Sequence, residues 1–211
     1  MDFATKVGHL TYDDARPMLS KLDKMLSSIT KSLVLVQIGS SSGREIAWLA
    51  ERNPMHRYIG TDIYPEVLAY SSERHNLPNL SFERCSAKEI SNLLNRYKDK
   101  GIIVFSSGSL QYVQPEHLEM FFYSISRIPN SEIILLEPAS DSEGNPEELK
   151  GSLWRANFSY THNYRFYAEK AGLITQTCEI IRPYVPYEHF PAWRRNTVHY
   201  FYWAKTGNNI E

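Results

Sequence analysis

Residues 13 to 30 place Ala15, Met18, Leu19, Leu22, Met25, Leu26 and Ile29 at i, i+3, i+4 spacing. That stripe predicts an amphipathic helix, with Asp13 or Asp14 as cap and Pro17 in its first turn. The period then switches. Leu33 to Ile38 is an apolar, β-rich strand, and Ile46, Ala47, Leu49 and Ala50 mark a helix. The alternation repeats: strand Arg57 to Asp62, helix Pro65 to Arg74, strand Leu80 to Arg84, helix Ala87 to Tyr97 with Ile90, Leu93 and Leu94 on one side. Strand Ile102 to Phe105, a helix after Pro115 carrying Leu118, Phe121, Phe122 and Ile125, and strand Ile133 to Leu136 complete it. Strands alternating with helices of this length predict βαβ units, hence a parallel sheet with helices on both faces.

Beyond residue 138 the pattern changes. ASDSEGNPEELKG (139 to 151) is polar, acidic and turn-rich, and reads as a loop. Asn163 to Ala171 reads as a helix stopped by Gly172. Leu173 to Ile181 and Val198 to Trp203 read as strands with no helix pattern between them, which predicts an antiparallel hairpin at the end of the sheet.

At 211 residues this pattern fits one domain. Its parts are an N-terminal helix (1–30), a ligand-binding half (31–137), and a loop, last helix and hairpin (138–211). Hydrophobic residues are 42%, charged residues 22%, and the net charge is −1. That balance provides no basic field for nucleic acid and no polybasic patch for a membrane surface. The first residues lack an apolar signal core, and no apolar run reaches the roughly 18 residues that span a bilayer. Two cysteines make neither a disulfide framework nor a zinc pattern, so a cytoplasmic protein is expected.

The informative stretch is VLVQIGSSSGREIAWLAE, residues 34 to 51, where a strand breaks at small residues and a helix starts at once. Bare backbone at a helix N-terminus suits a ligand with phosphate or carboxylate oxygens. Asp62 closes the next strand, 19 positions past Gly43. A carboxylate there suits the two hydroxyls of a ribose. A dinucleotide fingerprint needs G-x-G-x-x-G, whereas Gly39, Ser41 and Gly43 spell G-x-S-x-G.

LVQIGSSSG resembles the first motif of the class I S-adenosylmethionine-dependent methyltransferases. YIGTDIYPEVL, LSFERCSAKEI, GIIVFSSGSLQYV and EIILLEPAS resemble the later motifs in order. The resemblance implies a doubly wound, Rossmann-like α/β sheet of seven strands, mostly parallel, with an antiparallel last strand. It implies S-adenosylmethionine as cofactor, with Gln37, Gly39, Ser40, Ser41 and Gly43 in the first loop. Asp62 and Ile63 would hold the ribose side, Cys85, Ser86 and Ala87 the adenine, and Ser106 and Ser107 the methionine end. The chain departs from the family pattern where Gln37 replaces the usual acid, Ser41 the middle glycine, and Ser86 the acid beside the adenine.

DNA amine methyltransferases carry Asn/Asp-Pro-Pro-aromatic after the fourth strand, where this chain has SSGSLQYV. Metal-dependent catechol-type enzymes need acids where Ser106 and Ser107 stand. The expectation is therefore a small-molecule hydroxyl acceptor, sugar-like or aromatic, with neither nucleic acid nor catalytic metal; a small amine or a non-catalytic binding role is the alternative. About half of the aromatic residues fall in 151–211, where they could wall an acceptor pocket. A hydroxyl acceptor needs a base. His162 is the first candidate, at the junction of loop and helix, with His117 and His189 after it. His162 could equally be a hydrogen-bonding residue at a helix start.

Overall fold

The computed structural model describes residues 12–140, 149–155, 158–181 and 197–207. Strands β1 (Val34–Ile38), β2 (Arg57–Asp62), β3 (Leu80–Arg84), β4 (Ile102–Ser107) and β5 (Ser131–Ser140) join β8 (Ile174–Ile181) and β9 (Thr197–Lys205) in one seven-stranded sheet. Its order is β3-β2-β1-β4-β5-β9-β8. β1 to β5 are parallel, and β9 runs antiparallel between β5 and β8. The seven strands and the antiparallel last strand are as the alternation and the resemblance predict.

The apolar stripes bury on two faces. α1 (Tyr12–Ser28) and α2 (Arg44–Arg52) cover one, where Met18, Leu22, Ile46 and Leu49 meet Leu35, Phe105 and Leu136. α4 (Ile90–Asn95), α5 (Pro115–Ser126) and α6 (Tyr164–Lys170) cover the other, where Leu94, Phe121, Phe122 and Tyr164 meet Val36, Val104 and Leu135. Each fully buried side chain of this size contributes about 1.5–3 kcal/mol. α3 (Pro65–Arg74) packs beside β2 and β3. No described helix is long and apolar enough to cross a membrane.

Four elements differ from the sequence reading. α1 starts at Tyr12, so Pro17 falls in its second turn. The helix expected over 87–97 is a 3-10 turn, Ala87–Glu89, followed by the short α4. β5 runs on to Ser140, because β9 pairs along its whole length. The fourth difference is a second sheet, the hairpin of β6 (Ser152–Arg155) and β7 (Ser159–His162). Four-residue strands carry too little alternation to be read locally. A cross-strand pair holds this one, the Trp154 and Tyr160 rings meeting edge-on at 4.9 Å.

Candidate functional site

The β1–α2 loop is built by two glycines and one strained serine. Gly39 (φ 66) and Gly43 (φ 74) both lie in the left-handed region. A Cβ on Gly39 would collide with the Ser109 hydroxyl, and one on Gly43 would sit 2.6 Å from the Phe82 ring. Ser41 adopts φ 49 without being glycine, at a cost of roughly 1–3 kcal/mol. The surroundings hold it there: Ser71 Oγ donates to its carbonyl at 2.6 Å, and its own N–H donates to Asp62 Oδ2 at 3.2 Å. The serine thus takes the backbone shape a glycine would.

Asp62 ends β2 half-buried. Its second oxygen, Oδ1, accepts the Tyr64 N–H at 3.2 Å. Each oxygen spends one lone pair on backbone and keeps another for a diol. In front of it opens a cleft of about 560 Å³ whose walls include Gly39, Ser41, Asp62, Ile63, Cys85, Ser86 and Ala87. Seven predicted residues from three strand ends therefore meet in one place, as expected outside the carboxyl ends of parallel strands where their order reverses. Ser86 Oγ donates to Glu89 Oε2 at 2.6 Å, which leaves its oxygen free to accept. Burial pushes the Cys85 thiol up to about 11, so it lines the cleft as a neutral group. The cleft also takes Tyr64, Glu66, Val67, Ser109, Tyr112 and Val113, which the sequence reading does not select. Three of them follow Asp62 closely in the chain, and three follow β4, so distance from a strand end is the signal that points to them.

Gln37, Ser40, Gly43, Ser106 and Ser107 are not among the residues that line the cleft. Two carboxylates, Glu45 half-buried and Glu137 buried, organise the strand ends. On the α2 face, Gln37 Nε2 donates to Glu45 Oε2 at 2.6 Å, and the Ser107 hydroxyl also bonds Glu45. On the opposite face Glu137, at the end of β5, is fully buried. It accepts from Ser106 Oγ at 2.6 Å and from the N–H groups of Ser109, Leu110 and Gln111 at 3.2–3.3 Å. Burial pushes both carboxyls up to about 7. The donors pull each back toward the ionised form, and the charge of Glu137 adds to the rise at Glu45. Glu137 thereby pins the post-β4 loop that carries Ser109, Tyr112 and Val113 into the cleft. The motif pattern does not single it out, although an acid closing an otherwise apolar strand is a visible signal.

His162 ends β7 and is 1% exposed, outside the cleft lining. Its Nδ1 lies 2.5 Å from Ser152 Oγ, which lies 2.7 Å from the Tyr167 hydroxyl. Tyr160 stacks on the ring at 5.2 Å, and the carbonyls of Leu110 and Val113 face it. Burial lowers its pKa to about 4, so it is neutral at pH 7. His117 sits in the first turn of α5, its N–H closing on the Gln114 carbonyl at 3.0 Å. His189 lies outside the described residues.

These residues fit S-adenosylmethionine. The bare loop at Gly39, the paired oxygens of Asp62, and the buried carbonyl oxygen of Gln37, which has no donor, match a molecule with a ribose and a cationic amino-acid end.

Comparison with known proteins agrees. A family described as a methyltransferase domain matches residues 35–131. A tRNA (guanine-N(7)-)-methyltransferase from Geobacillus sp. (strain WCH70) is 35% identical over 60 residues. That match spans 27% of this chain and 27% of the relative's own length. The structure of the 4+2 cyclase SpnF superposes with a TM-score of 0.68 at 13% identity, over 94% of this chain and 84% of that one. The Burkholderia thailandensis 1,6-didemethyltoxoflavin-N1-methyltransferase, solved with its substrate and S-adenosylhomocysteine, gives 0.61 at 15% identity, over 92% and 79%. Residues 35–131 thus resemble a methyltransferase domain, and the strand order is that of the class I S-adenosylmethionine-dependent methyltransferase fold.

Proposed function

We propose that the protein transfers a methyl group from S-adenosylmethionine to the hydroxyl of a small molecule. The observation that carries the reading is Asp62, whose two oxygens are each oriented by a backbone N–H at the mouth of a cleft of cofactor size. The bound cofactor supplies an electrophilic methyl on a sulfonium, and the chain's part is to hold donor and acceptor in line and keep water out.

Asp62 fixes the ribose side, and Ser86 and Ala87 flank the adenine. Glu137 holds the post-β4 loop, so that Ser109, Tyr112 and Val113 face the cleft. His162, expected from sequence as the base, braces the same loop from behind; buried outside the cleft lining, it does not face an acceptor there and acts as a positioning residue. His117, in the α5 turn after the loop, is the second candidate base. A metal-independent route is consistent with Ser106 and Ser107 at the end of β4. Small-molecule acceptors are supported by the net charge of −1, which provides no field for RNA. The departures at Gln37 and Ser41 favour a second reading, a binding protein that keeps the cleft without the transfer.

Titration calorimetry with S-adenosylmethionine and S-adenosylhomocysteine, with NAD as control, tests the cofactor. Transfer of a labelled methyl group to a panel of hydroxyl and amine compounds, with tRNA as a further arm, tests the acceptor. Binding of the first two and not of NAD, with label on a hydroxyl compound, is expected. Label on tRNA alone overturns the small-molecule reading, and binding without any transfer selects the second reading.

A further inference from the structure

Gln37 is 2% exposed, and its amide has one partner among the described residues. Nε2 donates to Glu45 Oε2, which leaves Oε1 buried beside the carboxylate without a donor. Glu45 receives the Gln37 amide and the Ser107 hydroxyl. No Lys, Arg or His nitrogen among the described residues forms an ion pair with it. Glu45 is half-buried, and a carboxylate drawn partly out of water gains from a cation or further donors, as does a buried carbonyl oxygen. Here a carboxylate and an idle carbonyl oxygen stand together and lack a positive donor. They bracket the glycine loop: Gln37 is two residues before Gly39, and Glu45 two residues after Gly43.

We infer that Glu45 and the carbonyl oxygen of Gln37 seat the ammonium of the cofactor's methionine end, the carboxylate coming from α2 instead of from β1. The inference rests on the methyltransferase reading above. It also accounts for the amide at position 37. A carboxyl in that place, at hydrogen-bond distance from Glu45, would share one proton with it. An amide donates to Glu45, favours its ionised form and still presents an acceptor.

The test uses the full chain and three ligands: S-adenosylmethionine, S-adenosylhomocysteine and 5′-methylthioadenosine, which has the nucleoside and the sulfur but no amino-acid end. Wild-type protein should bind all three. Glu45→Gln should weaken the first two at least tenfold and leave 5′-methylthioadenosine unchanged. The exchange variant, Gln37→Glu with Glu45→Gln, returns one acid and one amide to the pair and should recover most of the loss. It also serves if the single variant does not fold. Unchanged S-adenosylmethionine affinity in Glu45→Gln overturns the inference, as does equal weakening of all three ligands. If the wild type binds 5′-methylthioadenosine but not S-adenosylmethionine, the seat is refuted while the nucleoside site stands. If it binds none of them, the methyltransferase reading falls as well.

Discussion

The two halves of the sheet present residues to the cleft by different means. In the β1–β4 half, each cleft-facing residue sits within a few positions of its own strand end, and local backbone conformation contributes much of its placement. Gly39 and Gly43 allow the left-handed turn, Ser41 joins it with help from Ser71 and Asp62, and Asp62 is oriented partly by the N–H two residues on. In the half from β5 onward, position is set by contacts across the chain. Glu137 reaches back to Ser106 and to 109–111, and His162 is walled by Ser152, Tyr160, Tyr164 and Tyr167. The first half therefore tolerates loss of a ligand-facing side chain without unfolding. In the second, the groups that back the cleft loop also carry the packing.

The sharpest way to break this contrast is Phe122→Ala. The Phe122 ring is fully buried against Phe121, Tyr164 and Tyr167. Truncation should cost about 3–5 kcal/mol in urea unfolding. Because Tyr167 and Tyr164 stand beside His162, the cleft loop should loosen too. Asp62→Ala should do the reverse. Loss of a charged acceptor for two hydroxyls should weaken S-adenosylmethionine about 100-fold by calorimetry, roughly 2–3 kcal/mol. Its melting temperature should stay near that of wild type, and a large drop would mean the cofactor half is not locally determined.

pH separates the halves further. The folded pKa of His162, about 4, lies below the ordinary 6.5, so the unfolded chain takes up the proton first. The stability associated with this group is intact above about pH 6.5 and drains as pH falls toward 4. Glu45 and Glu137, raised to about 7 from 4.5, act in the opposite sense. The folded protein holds their protons between 4.5 and 7, so their contribution favours folding on the acid side and disappears as pH rises through 7. Urea unfolding of wild type and His162→Phe at pH 7 and pH 5 should show the difference between the two proteins change by about 2 kcal/mol in favour of the variant at pH 5. A constant difference would mean that His162 titrates normally.

The smallest effect belongs to the loop. Ser41→Gly removes a side chain from a left-handed position and should stabilise the protein by about 1 kcal/mol, with cofactor affinity unchanged or slightly higher. Destabilisation would show that the Ser41 side chain does something beyond filling a turn.

The same division governs what is legible in the chain itself. Asp62 and the glycine loop can be read from sequence because strand, turn and helix periods abut there. Cys85, Ser86 and Ala87 can be read as a third strand end. Gln37, Ser106 and Ser107 are expected at the cofactor, yet the polar groups of Gln37 and Ser106 meet Glu45 and Glu137, 8 and 31 positions away, and Ser107 also bonds Glu45. The hairpin β6–β7 escapes a local reading because Leu153 and Trp154, adjacent in sequence, are both exposed and erase the alternation. For His162 the sequence suggests a loop residue near a helix start. The helix start holds, since Asn163 caps α6 through the Phe166 N–H, but the loop is a buried strand end.

By itself, then, the sequence determined the alternating sheet, its antiparallel last strand and the strand-end residues from Gly39 to Ala87 that meet in the cleft. These depend on periodicity and on backbone conformations that only particular residues adopt. Tertiary structure alone decided which carboxylates stand at the strand ends, which face of the sheet each occupies, and how deeply Glu137 and His162 lie. Burial and electrostatic coupling depend on what the rest of the chain brings into contact, and no local pattern encodes that.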